Sequence, residues 1–182
     1  TLTLGRQNLY ASFEDINSCL EKYGINVRTA DPNFSNDYAE PLFGILGAKS
    51  VDSMDYSSYQ QATIIHDLNY PVPGEFKNRF SCIVDGGTIE HIFNFPVAIK
   101  NCMEMLTRGG HYIGITPVNN QMGHGFYQFS PELYFRIFSE ENGFSVKKMF
   151  VAAVNTEDDW YEVSDPKIVG SRVTLENSFP LV

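Results

Sequence analysis

Phe80-Ser81-Cys82-Ile83-Val84-Asp85-Gly86-Gly87 is an apolar, β-branched run that ends in an acid and two glycines. Downstream, Phe95 to Leu106 places Ala98, Ile99, Cys102, Met103, Met105 and Leu106 at helical spacing. Gly109-Gly110 then turns the chain into another apolar run, His111 to Thr116. Strand, helix and strand with short links predict a mainly parallel sheet covered on both faces.

The same alternation extends in both directions. Thr1 to Leu4 reads as a strand halted at Gly5. Ser12 precedes a helical stripe of Phe13, Ile16, Leu20 and Tyr23, with Asp15 near capping-box position and Gly24 to stop it. Residues 25–36 are polar apart from a short strand at Ile25-Asn26-Val27, and a second helix is expected over about 37–46. Residues 50–55 and 62–67 read as strands finishing in Asp55 and Asp67, and Pro71, Pro73 and Gly74 mark a loop.

Beyond Thr116 comes a loop over 117–129, then a helix opened by Ser130-Pro131 and closed at Asn142-Gly143. Phe144 to Val154 reads as a long strand, 157–160 as a surface connection and Ser171 to Leu175 as a last strand. The fold expected is one α/β domain over 1–182. Its sheet is open, doubly wound and mostly parallel, with seven strands, helices on both faces and a last strand left incomplete if the chain is trimmed at Val182.

The 182 residues include 13 Lys plus Arg and 22 Asp plus Glu, a net charge of −9. A domain of this length buries roughly 70% of its unfolded surface. An acidic chain without a basic cluster would repel nucleic acid and anionic membranes, so neither is expected as a partner. No apolar run approaches the roughly 20 residues of a membrane span. Thr1 opens directly into a strand, so no signal peptide is expected. Cys19, Cys82 and Cys102 lie in apolar patterns without a C-x-x-C pair, so buried thiols in a reducing cytoplasm are expected.

Open parallel sheets bind ligands at the carboxyl ends of their strands, where strand order reverses. Gly5, Asp55, His66-Asp67, Asp85-Gly86-Gly87 and Thr116-Pro117 close the strands and are the residues to inspect. An acid after the second strand can accept hydrogen bonds from both ribose hydroxyls. Each Asp could equally serve only its own turn.

The stretch Phe80 to Asn94, with Glu90-His91, and Ala98 to Pro117, with Leu106-x-x-Gly109-Gly110, resembles the Rossmann-like S-adenosylmethionine-dependent methyltransferases. Ser130 to Phe144 continues the resemblance, which spans about residues 49–154. It implies S-adenosylmethionine as cofactor, with Asp55 on the ribose, and Asp67 and Leu68 at the adenine. Asp85, Gly86 and Gly87 would lie near the methionine portion, and Gly5 in the first loop. That loop, Leu4 to Tyr10, has one glycine where the family has two or three. Arg6 and Gln7 could pair with a carboxylate there, or the chain could be a relative that has lost its donor and serves as a binding or scaffold module.

His124, flanked by Gly123 and Gly125, is the leading candidate general base for methyl transfer to an oxygen or nitrogen of a small polar acceptor; His91 is second. His66 suits a rim hydrogen bond and His111 a structural place. His66, Asp67, Asp85, Glu90, His91 and His124 could converge on a metal, but no H-x-x-x-H spacing is present and no metal centre is expected. Neither a G-x-S-x-G elbow nor a G-x-G-x-x-G loop occurs. The rings at Phe126, Tyr127, Phe129, Tyr134 and Phe135 could cover an acceptor or pack a helix.

Overall fold

The computed structural model describes residues 1–25, 38–154, 160–174 and 180–182. The strand expected at Ile25-Asn26-Val27 therefore falls, past Ile25, outside the described residues. So do the start of the second helix at 37, the connection over 157–159 and Leu175. The chain divides into two compact units: residues 1–86 with 94–114, and residues 87–93 with 115–182.

The first unit is built on a five-stranded parallel sheet of β1 (Leu2–Leu4), β2 (Asp52–Asp55), β3 (Ile64–Ile65), β4 (Phe80–Gly86) and β5 (Leu106–Ile115), in the order β3-β2-β1-β4-β5. β1 sits at the centre, with Leu2 opposite both Asp52 and Ile83, and Leu4 opposite both Met54 and Asp85. Leu2, Thr3 and Leu4 are all buried, so both faces of this strand are covered. Order reverses between β1 and β4, which makes their carboxyl ends the switch point of the sheet.

Helices flank the sheet. α1 (Phe13–Lys22) starts as its capping pattern predicts: Ser12 Oγ accepts the Asp15 amide at 3.1 Å, and Ser12 in turn donates to the Asp15 carboxylate. Its buried stripe is Ile16 and Leu20, which meet Leu42 and Ile45 of α2 (Glu40–Ile45). Tyr23, expected on that stripe, is exposed past the helix end. α3 (Phe95–Met105) buries Phe95, Ala98, Ile99, Cys102 and Met105 along one face. Asn101, also buried, accepts the Val72 amide at 3.0 Å and donates to the carbonyls of Leu68 and Tyr70 at 3.3 and 2.8 Å. Asn94 ahead of α3 bonds both the side chain and the carbonyl of Asn69. Two side-chain amides thus fix the loop that follows β3.

The second unit holds α4 (Pro131–Ile137), β6 (Phe150–Ala152), β7 (Trp160–Glu162) and α5 (Pro166–Val169). The expectation of seven strands in one sheet is corrected here. Among the described residues β6 and β7 pair antiparallel with each other, Phe150 opposite Glu162, and form a separate two-stranded sheet. Only three residues of the expected strand 144–154 make that ladder, and Ser171 to Thr174 form no strand. Val151, Ala153, Val163 and Leu181 make a small apolar core of their own, so β6 satisfies its buried face within this unit. Aromatic rings from Phe129 through Tyr134 and Phe138 to Phe144 contact one another in sequence, which gives these side chains a packing role.

The thiols differ more than their patterns predict. Cys102 is buried and Cys82 half-buried, but Cys19 is exposed because it falls off the Ile16–Leu20 stripe of α1. Burial, with the nearby Asp85 charge, pushes the Cys102 thiol far above its ordinary value, and burial also raises Cys82. Thiolate is the reactive form. Alkylation of the native protein near pH 8, followed by mass spectrometry, is expected to modify Cys19 first and Cys102 only after denaturation.

Candidate functional site

On the first unit, the strand ends collect most of the predicted cofactor residues. Gly5 takes a positive φ of 67° and donates its amide to Met54 O at 2.7 Å, turning the chain sharply off β1 beside β2. Asp55 closes β2, with Oδ1 accepting the Ser57 amide at 2.8 Å. Asp67 is built the same way: its Oδ1 accepts the Asn69 amide and side chain at 2.9 and 2.8 Å. Both are Asx turns, so each carboxylate serves the backbone with one oxygen. Leu68 is buried under Asn101. Asp85 is fully buried and accepts the Tyr112 hydroxyl at 2.9 Å. His66 Nε2 lies 3.2 Å from Tyr70 O, the rim bond expected of it.

The first loop is occupied by its own side chains. Arg6 pairs with Glu40 at 2.6 Å, donates to Gln60 O at 3.0 Å and stacks over Tyr38. Gln7 folds back so that Nε2 donates to Leu4 O, and its Oε1 occupies the place where a Cβ on Gly86 would stand. Gly86 therefore makes room for Gln7 at the β1/β4 switch point.

On the second unit, a different group converges. Thr88 precedes a short 3-10 turn, Ile89–His91, that carries Ile89 and Glu90 inward and leaves the His91 side chain half-exposed. The loop from 117 to 129 is closed at its neck by the Phe129 amide on Pro117 O at 2.7 Å. Its tip returns to the turn, since the amides of Phe126 and Tyr127 both donate to Glu90 O, at 2.9 and 3.3 Å. Tyr127 Oη adds a bond to Phe93 O at 2.6 Å. This places His124 Nε2 at 3.4 Å and His91 Nε2 at 3.9 Å from the same oxygen, Glu90 Oε1. The two imidazoles sit 5.2 Å apart, centre to centre.

The Glu90 side chain is 1% exposed, and neither of its oxygens has a hydrogen-bond partner among the described residues. Buried carboxylates without partners are rare because desolvation is expensive. Two glycines lie close against Glu90, Gly87 beside its carboxylate and Gly125 beside its backbone carbonyl and Cγ. A Cβ on Gly87 would stand 3.3 Å from Glu90 Oε1; one on Gly125 would stand 3.0 Å from Glu90 O and 3.2 Å from His91 Nδ1. Two open concavities of this unit, one lined by Arg136, Lys167 and Arg172 and one by Asn119, Gln128 and Leu181, do not include these residues.

No protein-family model, curated protein or solved structure matches the chain.

Of the predicted residues, Gly5, Asp55, Asp67, Leu68, Asp85 and Gly86 belong to the first unit, and Gly87, His91 and His124 to the second. Glu90, named in the sequence only within the Glu-His pair and a possible metal set, proves to lie at the centre of the histidine pair, while the sequence gave no such place to Gly125 under it, Gln7 at the switch point or Asn101 beneath the β3 loop. The available signal was a Glu directly before one His, together with a second His between two glycines. Gly125→Ala is expected to destabilise the protein by about 1–3 kcal/mol through overpacking against Glu90. Urea denaturation should register the loss, and amide exchange at Phe126 and Tyr127 should accelerate.

Proposed function

We propose that this chain is a Rossmann-like S-adenosylmethionine-dependent methyltransferase acting on an oxygen or nitrogen of a small polar acceptor. The observation that supports it best is the parallel order β3-β2-β1-β4-β5, with Asp55 ending the strand next to the central one. In such a sheet, a carboxylate there is suited to ribose hydroxyls, and Asp55 commits only Oδ1 to its own turn. Asp67 and Leu68, in a loop fixed by Asn94 and Asn101, suit the adenine. Transfer would rest on near-attack positioning of donor and acceptor. His124, with its Nε2 3.4 Å from Glu90 Oε1, would accept the acceptor's proton, and His91 would stand second. The acidic composition and unpaired thiols suit a cytoplasmic protein.

A second reading is favoured by Gln7. Its side chain fills the switch point against Gly86, as in a domain that retains the fold as a binding or scaffold module without a donor. Calorimetry with S-adenosylmethionine and S-adenosylhomocysteine separates the two. Active methyltransferase chemistry predicts micromolar binding, weakened about tenfold or more by Asp55→Ala, the worth of one or two charge-assisted hydrogen bonds. Binding absent in the folded wild type but present in Gln7→Ala selects the second reading. Binding absent from both removes the donor site altogether.

A further inference from the structure

We propose that Glu90, His91 and His124 form a binding site for one divalent transition-metal ion, of the zinc, cobalt or iron(II) type. The inference goes beyond methyl transfer and stands on the second unit alone, whether or not a donor binds elsewhere. The sequence places Glu90, His91 and His124 among six residues that could converge on a metal, but without an H-x-x-x-H spacing it gave no expectation of a metal centre.

One donor atom from each of the three residues lies within 4.8 Å of the others. Ligands about 2.0–2.1 Å from a tetrahedral metal stand roughly 3.3 Å from one another. The 3.4 Å between His124 Nε2 and Glu90 Oε1 already has that separation, and the 3.9 Å to His91 Nε2 exceeds it by roughly half an ångström. The donor set, two imidazoles and one carboxylate, suits first-row transition metals over magnesium or calcium, which prefer all-oxygen shells.

The second, independent observation is the state of Glu90. Its side chain is buried and neither oxygen has a hydrogen-bond partner among the described residues, so no hydrogen bond compensates its desolvation. A dication between Oε1 and the two imidazoles supplies that compensation directly. The imidazoles, each about half-exposed, lie on the open side of the carboxylate, so an ion can enter without disrupting the core. The backbone is organised for the same end. The Glu90 carbonyl anchors the loop bearing His124, and Gly87 and Gly125 allow that loop and the turn to close around the carboxylate. Three protein ligands leave at least one coordination position for water or a substrate oxygen, the arrangement of catalytic rather than structural metal sites. With the ion bound, His124 Nε2 is a ligand. The metal would supply Lewis-acid polarisation of a coordinated hydroxyl, and the free-base role given to His124 above belongs to the metal-free protein.

The test is titration of the full chain, freed of any affinity tag and treated with chelator, with Zn²⁺ by calorimetry and with Co²⁺ by visible absorption. One ion per chain with micromolar or tighter affinity is expected, with the Co²⁺ spectrum of a four- or five-coordinate nitrogen–oxygen site. Glu90→Gln keeps the side-chain shape, and His124→Gln changes a half-exposed loop residue; circular dichroism establishes that each is folded. Each should weaken Zn²⁺ binding by about a hundredfold, the loss of one of three ligands. Absence of Zn²⁺ binding, Zn²⁺ affinity unchanged in both variants, or Mg²⁺ bound more tightly than Zn²⁺ would each overturn the proposal. Donor calorimetry is unaffected by any of these results, so the failure of one reading leaves the other standing.

Discussion

The first unit depends on a three-residue strand. Leu2, Thr3 and Leu4 are buried on both faces and hydrogen-bonded on both edges, to β2 and to β4. A central strand this short has no spare residues, so its register fixes where every neighbour ends. Met54 lies opposite Leu4, which puts Asp55 one step beyond, level with the Gly5 turn; Asp85 lies opposite Leu4 on the other side, which puts Gly86 at the same height. The rim on which a ligand would lie is thus a product of backbone pairing, and the side chains on it follow.

The second unit meets a different constraint. A carboxylate is taken out of water beside two imidazoles, and the surrounding backbone is tightened around it by glycines and amide hydrogen bonds. Side chains that merely fill space seldom require this. Replacing such a carboxylate with an apolar group would ordinarily leave a protein as stable or more so, so stability alone does not account for its presence.

Much of the first unit was legible in the sequence, because its cues are local. The Ser12–Asp15 cap, the apolar face of α3, and the runs that became β1, β2 and β4 each involve residues within a few positions of one another. Asp85 was expected on the ligand-lining rim; its full burial on the strand face of Ile83, bonded to the Tyr112 hydroxyl, was not read from the sequence. The seven-strand count failed for the opposite reason. Whether Phe150 to Ala152 joins the large sheet or pairs with Trp160 to Glu162 is decided by tertiary packing around Val151, Val163 and Leu181, which no local pattern encodes. Glu90 is a similar case. Nothing in Ile89-Glu90-His91 marks its acid for burial; that follows from a loop whose glycines and amides lie more than thirty positions further on. Gln7 was read as a group that could pair with a carboxylate, and only the approach of β4 shows that its side chain turns inward onto Gly86.

The pairing of β1 also has a kinetic meaning. In the second unit, Phe150 finds Glu162 across a short stretch of chain, so its sheet closes a small loop. Leu2 must find Asp52 on one side and Ile83 on the other, and until both arrive the three residues have no stable partner. Loop-closure entropy has to be met before such distant contacts return any stability, which makes sheets of this topology slow to assemble. The rim of the first unit therefore exists only after both pairings of β1 are complete.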